Sequence, residues 1–136
     1  MFIVVYPLDC IPSLKESNRT IAACEGFSLV LECNIRGTGS TVFKGNLLNC
    51  GDSNHEIVLL HNRFNELNGT RAACNNETIL AYSLPFNSSS NCYTSQLCIM
   101  DTTDVIGKGI ICVHDSNTEK EIGNYTIPTT GIILCL

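Results

Sequence analysis

The chain has 136 residues, of which 44% are hydrophobic and only 15% charged, with a net charge of −5. That length and hydrophobic content suit one domain of ordinary size with a single two-layer core. The acidic balance and the absence of any Lys/Arg cluster exclude a phosphate-binding face, so neither nucleic acid nor an anionic membrane surface is expected as a partner.

In chain order, Phe2–Leu8 is apolar but short for a signal-peptide core, has no basic flank and meets Asp9 at once. Residues 1–23 read as an N-terminal extension or a first edge strand. From Phe27, apolar residues Phe27, Leu29, Leu31, Cys33 and Ile35 alternate with Ser28, Val30, Glu32, Asn34 and Arg36. This period of two predicts a strand with one buried face that includes Cys33. Gly37–Ser40 predicts a turn, and Thr41–Lys44 a short strand closed by Gly45-Asn46. In the next segment Ile57, Leu60, Phe64 and Leu67 have helical spacing, and Ser53 with Glu56 fits a capping box. Against this, Ile57–Leu60 is rich in β-formers and Asn68-Gly69 breaks the run. The β-richness favours a strand over 56–61 and a loop over 62–76 with room for a helical turn.

Thr78–Leu84 predicts a strand with Leu80, Tyr82 and Leu84 on its buried face, followed by a polar turn over Pro85–Asn91. Tyr93, Ser95, Leu97 and Ile99 alternate with Thr94, Gln96, Cys98 and Met100, so Cys98 points to the outer face. Asp101–Gly107 turns, Gly109–His114 is a strand carrying Cys112, Asp115–Glu121 is a charged loop, and Ile122–Ile127 is the last strand. An apolar tail, 128–136, stops far short of the roughly 18 residues of a membrane span. The chain therefore reads as a fragment of a longer secreted or membrane protein, any membrane contact lying in parts missing from it. Six to eight short strands with turns every 8–12 residues indicate an all-β sandwich or barrel.

Nine cysteines are scattered along the chain, none in a C-x-x-C spacing. Wide scatter indicates a disulfide framework in an oxidising compartment and no metal or cofactor site. The pairing of Cys10, Cys24, Cys92 and Cys135 stays open, with Cys10–Cys24 the local choice. Cys92 and Cys98, six apart, would lie roughly 20 Å from each other on one strand, too far to bond. Nine cannot all pair within one chain. The outer-face neighbours of Cys98 that the family resemblance described below implies (Val30, Glu32, Asn34, Ile79, Ala81) include no cysteine. Cys98 is accordingly expected to be the unpaired one, free or joining two chains in a covalent dimer, the alternative being that an end of the chain folds over the sheet and brings Cys10 or Cys135 to it. Sequons at Asn18, Asn68, Asn76, Asn87 and Asn124 agree with an extracellular setting and should be exposed.

Residues 24–127 resemble the immunoglobulin superfamily. The resemblance rests on L-V-L-E-Cys33 as its second strand, T-V-Phe43-K as its third, Y-T-S-Q-L-C-I as its fifth and G-I-I-Cys112 as its sixth. It implies a disulfide-rich all-β, two-sheet antiparallel sandwich of the variable/intermediate immunoglobulin-like type. The implied inter-sheet bridge is Cys33–Cys112, with Phe43, Leu31, Leu97 and Ile110 packed on it, and a crosslink of that length stabilises by on the order of 4 kcal/mol. The chain departs from the family in having Phe43 for the usual tryptophan and Ile110 where the corner tyrosine stands. It is similar to the divergent immunoglobulin-like domains of surface receptors in early-branching animals, a group that the extra pair Cys50–Cys74 would suit.

His55, His61 and His114 form no metal or acid–base motif. Gly37-Thr-Gly-Ser-Thr41 lacks the lysine and following helix of a phosphate loop. No enzyme is expected. The resemblance implies a non-catalytic extracellular binding module of a cell-surface receptor or adhesion protein, recognising a protein or glycan partner. The alternative is a free secreted disulfide-rich effector or defence protein. No ligand-binding residue can be named from the sequence.

Overall fold

The structure is a computed structural model and describes residues 11–18, 24–36, 39–50, 54–61, 70–87, 92–115 and 120–129. Nine strands are described: β1 (Ser13–Glu16), β2 (Leu29–Arg36), β3 (Gly39–Lys44), β4 (Glu56–His61), β5 (Thr70–Cys74), β6 (Ile79–Asn87), β7 (Cys92–Ile99), β8 (Gly109–Asp115) and β9 (Lys120–Thr126). They form two antiparallel sheets, one in the order β1-β2-β7-β6-β5 and the other β4-β3-β8-β9. The expected disulfide-rich all-β sandwich is the architecture observed. The edge-strand reading of the N-terminal region fits β1, which pairs with β2.

The core lies between the sheets. Leu31, Cys33 and Ile35 of β2 face Phe43, Ile57, Leu59, Ile110 and Cys112 of the other sheet, all buried. On β7, Tyr93, Leu97 and Ile99 share this core, and Ser95 lies buried among them. Ser95 stands opposite Ser83 on β6 and donates to its hydroxyl oxygen over 3.2 Å, so two buried hydroxyls satisfy each other.

Four expectations about the strands need correction. The stretch 62–76 was expected as a loop, yet Thr70–Cys74 forms β5 on the edge of the first sheet, pairing with β6. Its sequence, TRAAC, is short and weakly apolar, so it carries no alternation to read. Second, β6 runs on through Pro85 to Asn87 with a bulge there. Pro85 lies beyond the last described β5–β6 pair and at the register shift between Pro85 and Asn87, a bulge being a place where a strand tolerates proline. Third, β6 has the opposite phase. Ile79 and Ala81 enter the core opposite Ile99 and Leu97, while Leu80 and Tyr82 point outward. Fourth, Phe27 lies before β2 and packs on the outer face of its sheet, not in the main core.

The last two corrections have one cause, which also overturns the expectation for Cys98. The outer face of β2-β7-β6 carries a second apolar cluster, with Val30, Cys98 and Leu80 side by side on neighbouring strands. Residues 24–27 fold over this row through a turn with Gly26 at φ 87°. That turn brings Cys24 onto Cys98, the two bonded with Cα atoms 5.7 Å apart. Cys98 is thus neither free nor available to a second chain. The expectation failed because it sought a partner on neighbouring strands and at the chain ends, and Cys24 comes from a turn. The local choice Cys10–Cys24 fails with it. Three bridges now account for Cys24, Cys98, Cys33, Cys112, Cys50 and Cys74. The odd cysteine falls among Cys10, Cys92 and Cys135, whose side chains lie outside the described residues.

The next rows on that outer face are polar. The Ser17 hydroxyl donates to Glu32 Oε2 at 3.0 Å and accepts from Gln96 Nε2 at 3.3 Å. Asn34 accepts from Thr94 and donates to Ser13. Residues flanking and within β1 therefore bind β2 and β7 through side chains as well as backbone.

Along one side of the sandwich β1 also meets β9 of the opposite sheet. Gly123 makes this approach possible, since a Cβ there would lie 3.3 Å from Leu14 Cβ. The Tyr125 hydroxyl donates to a Glu16 carboxylate oxygen across the same seam. Partial burial first, and the neighbouring carboxylate second, push the Tyr125 phenol up to about 12 from 10.0. The folded state therefore keeps this proton where the unfolded chain has lost it. The stabilisation is complete below pH 10 and is lost as pH rises from about 10 to about 12. In an ultraviolet titration of the phenols, one tyrosine should ionise near pH 12, and that step should vanish in Tyr125→Phe.

Candidate binding surfaces

The expected bridge and its packing residues come together in the core. Cys33 and Cys112 are bonded across the two sheets with Cα atoms 6.5 Å apart, and both are fully buried. Phe43 stands directly across from Cys112 on the adjacent strand, and Leu31 is paired with Leu97. Ile110 lies two residues before Cys112 on the same face, and all four packing residues are inaccessible to solvent.

Two surface regions stand out around this core. The first is the outer face of β4-β3-β8-β9. A row of valines crosses it, Val58 beside Val42 beside Val113. Val42 and Val113 are each only 6% exposed, whereas Val58 on the edge strand is 46% exposed. The neighbouring row is Glu56, Lys44, Ile111 and Asn124. Lys44 Nζ lies 4.0 Å from Glu56 Oε2. A half-buried surface pair of this kind adds little to stability, about 0–1 kcal/mol, but it frames the exposed valine with one charge of each sign.

The second region is a stapled turn at one end of the sandwich. Cys50 and Cys74 are bonded, with Cα atoms 4.6 Å apart, joining the segment after β3 to the end of β5. Beyond Cys74 the chain turns back through Asn75, Asn76 and Glu77, at φ 52°, 55° and 68°, before β6 begins. Asparagine tolerates this left-handed region better than most residues, and glutamate does so poorly. Side chains hold the turn. Asn75 Oδ1 accepts from the Asn49 amide at 2.7 Å, and Asn75 Nδ2 donates to the Leu47 carbonyl at 3.1 Å. Glu77 pairs with Arg71 at 3.0 Å, and Arg71 also donates to the Tyr82 hydroxyl. Between these groups lies an open cleft of about 450 Å³ lined by Asn49, Ala73, Cys74, Asn75, Asn76 and Glu77. Sequence reasoning missed this turn, and the only available signal was the Asn-Asn doublet directly after a cysteine.

Among the sequons, Asn18, Asn76 and Asn124 are exposed. Asn124 lies inside β9 and faces out, while Tyr125 is half-buried and Ile127 fully buried, as alternation requires. Asn68 and the side chain of Asn87 lie outside the described residues. His55 is exposed, and its Nδ1 lies 2.9 Å from the Leu48 carbonyl; His114 is in β8, and the His61 side chain lies outside the described residues. Among the described residues no group of three or more His, Cys, Asp or Glu could hold a metal ion, and no helix is long and apolar enough to cross a membrane. Three disulfides are compatible with a secreted or extracellular protein.

No family model, curated protein or solved structure matches this chain.

The loop of the stapled region is set by a close backbone approach. The Gly45 N–H donates to the His55 carbonyl, and Leu48 N–H donates back to Gly45. A Cβ at Gly45 would lie 2.7 Å from the Gly109 carbonyl oxygen, which is backbone and cannot swing away. Gly45→Ala should therefore cost roughly 1–3 kcal/mol, read as a lower denaturation midpoint with an unchanged m-value.

Proposed function

We propose that this chain is an extracellular, non-catalytic, immunoglobulin-like binding module of a cell-surface receptor or adhesion protein. The observation that carries the reading is the cross-sheet bridge. Cys33 on β2 joins Cys112 on β8, with an aromatic, Phe43, on the strand next to Cys112. The strand order around it agrees with the resemblance noted in the sequence, β7 lying between β2 and β6 and β3 beside β8. Two further bridges fasten surface segments, a pattern suited to a module that must persist outside the cell without chaperones.

The partner is a protein or glycan on another surface, and it docks on the outer face of β4-β3-β8-β9 at its β4 end. Exposed Val58 supplies an apolar anchor there, and the Lys44–Glu56 pair supplies polar contacts at its rim. A sugar on Asn124 would shield the opposite end of this face, leaving the Val58 end open.

The test is to tetramerise the secreted domain, probe a panel of cells and a glycan array, and compare wild type with Val58→Lys. Binding to a cell-surface or glycan target that falls at least tenfold in Val58→Lys, at unchanged thermal stability, supports the reading. Equal binding by both proteins contradicts the assigned face. Failure of the chain to form its bridges in the secretory pathway contradicts the extracellular assignment itself.

A further inference from the structure

We propose that the cleft of the stapled turn is the seat of the first N-acetylglucosamine of a glycan carried by Asn76. The inference rests on the extracellular reading above. It goes beyond that reading by giving one sequon a docked sugar with a structural role.

Three consecutive residues, Asn75, Asn76 and Glu77, hold the left-handed conformation that glycine adopts without penalty. Two of them have evident reasons to keep a side chain. Asn75 clamps Asn49 and Leu47, and Glu77 binds Arg71. Asn76 has no hydrogen bond among the described residues, is exposed, and forms part of the cleft wall. A fold requirement alone would be met better by glycine at this position. The residue is also the acceptor of Asn76-Glu77-Thr78, a complete sequon.

The cleft has the chemistry of a sugar seat. Its volume of about 450 Å³ lies in the lower part of the range that takes small ligands, roughly 300–1,000 Å³. The Asn49 side-chain amide forms no hydrogen bond among the described residues, so it offers donors and an acceptor to ring hydroxyls. Glu77 bonds Arg71 through Oε1, which leaves Oε2 to accept from a hydroxyl. The Ala73 methyl, exposed on β5, gives an apolar spot for an acetamido methyl. An open polar cleft of this kind holds a free monosaccharide weakly. A sugar tethered to its own wall binds as an intramolecular ligand, at an effective concentration of order millimolar or above.

Attachment joins Asn76 Nδ2 to the anomeric carbon of the sugar and breaks the bond from that carbon to the pyrophosphate of a lipid-linked oligosaccharide donor. One amide proton leaves with the pyrophosphate, and nothing is oxidised or reduced. Because the transfer occurs on the unfolded chain, the folded site must accommodate the sugar, and this cleft does so.

The experiment expresses the full chain with a secretion signal in eukaryotic cells that make only high-mannose glycans. The other four acceptors are changed to Gln (Asn18→Gln, Asn68→Gln, Asn87→Gln, Asn124→Gln), and a parallel culture keeps all five. An endoglycosidase trims the remaining glycan to one N-acetylglucosamine. Glycopeptide mass spectrometry should show Asn76 occupied. The acetamido methyl should give nuclear Overhauser contacts to the Ala73 methyl. The trimmed protein should melt within a degree of the untrimmed one and about 3 °C above the same chain refolded without any glycan, which keeps Asn76. Occupancy at Asn18 or Asn124 with Asn76 empty, or an occupied Asn76 without contacts to Ala73, overturns the inference and leaves the extracellular reading standing. A chain retained with no sequon occupied in either culture overturns both.

Discussion

The Cys33–Cys112 bridge crosses between the two sheets at the centre of the core, and the rest of the sandwich is arranged around it. Both cysteines are fully buried, one on β2 and the other on β8. Sheets packed only through apolar side chains can slide, because dispersion and hydrophobic attraction are non-directional. A covalent link fixes both spacing and offset. It also removes about 4.5 kcal/mol of loop-closure freedom from the unfolded chain, since it closes a sequence separation of 79 residues. Phe43 opposite Cys112 and Leu31 opposite Leu97 then fill the volume on either side.

The other two bridges act outside this core. Cys24–Cys98 fastens a turn onto the back of β2-β7-β6 and so creates a second small apolar cluster with Val30, Leu80, Phe27 and Tyr82. The sheet is consequently covered on both faces there, which explains why Glu32 and Gln96, on nominally outward positions, are buried and bound through Ser17. Cys50–Cys74 holds the left-handed turn against the loop after β3. A chain with few charges and a modest core thus spends its cysteines where short loops would otherwise fray.

How far this was legible in the sequence depended on whether the two faces of a segment differ in polarity. Leu31-Cys33-Ile35 and Leu97-Ile99 alternate cleanly, so their inward residues were readable, while the packing of Phe43 and Ile110 on the bridge was what the family resemblance implied. The same rule failed where both faces are apolar. On β6 both Ile79-Ala81 and Leu80-Tyr82 are apolar, and only the register against β7 decides which pair enters the core. Phe27 continued the β2 alternation yet belongs to a turn, because Gly26 redirects the chain just before it. Cys98 pointed outward as alternation requires, but an outward cysteine meets solvent only if nothing folds over it. At the candidate surfaces, the sequence marked Asn76 and Asn124 as sequons. It could not show that Asn76 sits in a left-handed turn beside a cleft, or that Val58 is the exposed end of a valine row. Both depend on which strands become neighbours.

If the buried bridge is the element that holds the two sheets in register, it must be the last to yield. The decisive measurement is stepwise reduction by a thiol reductant under native conditions, with each released cysteine trapped and mapped. Cys50–Cys74, where Cys50 is only half-buried, should open first while the fold persists. Cys33–Cys112 should open only at the rate of global unfolding followed by hydrogen exchange, and its loss should coincide with loss of the near-ultraviolet signal. Reduction of Cys33–Cys112 ahead of the others in a protein that stays folded would contradict the account.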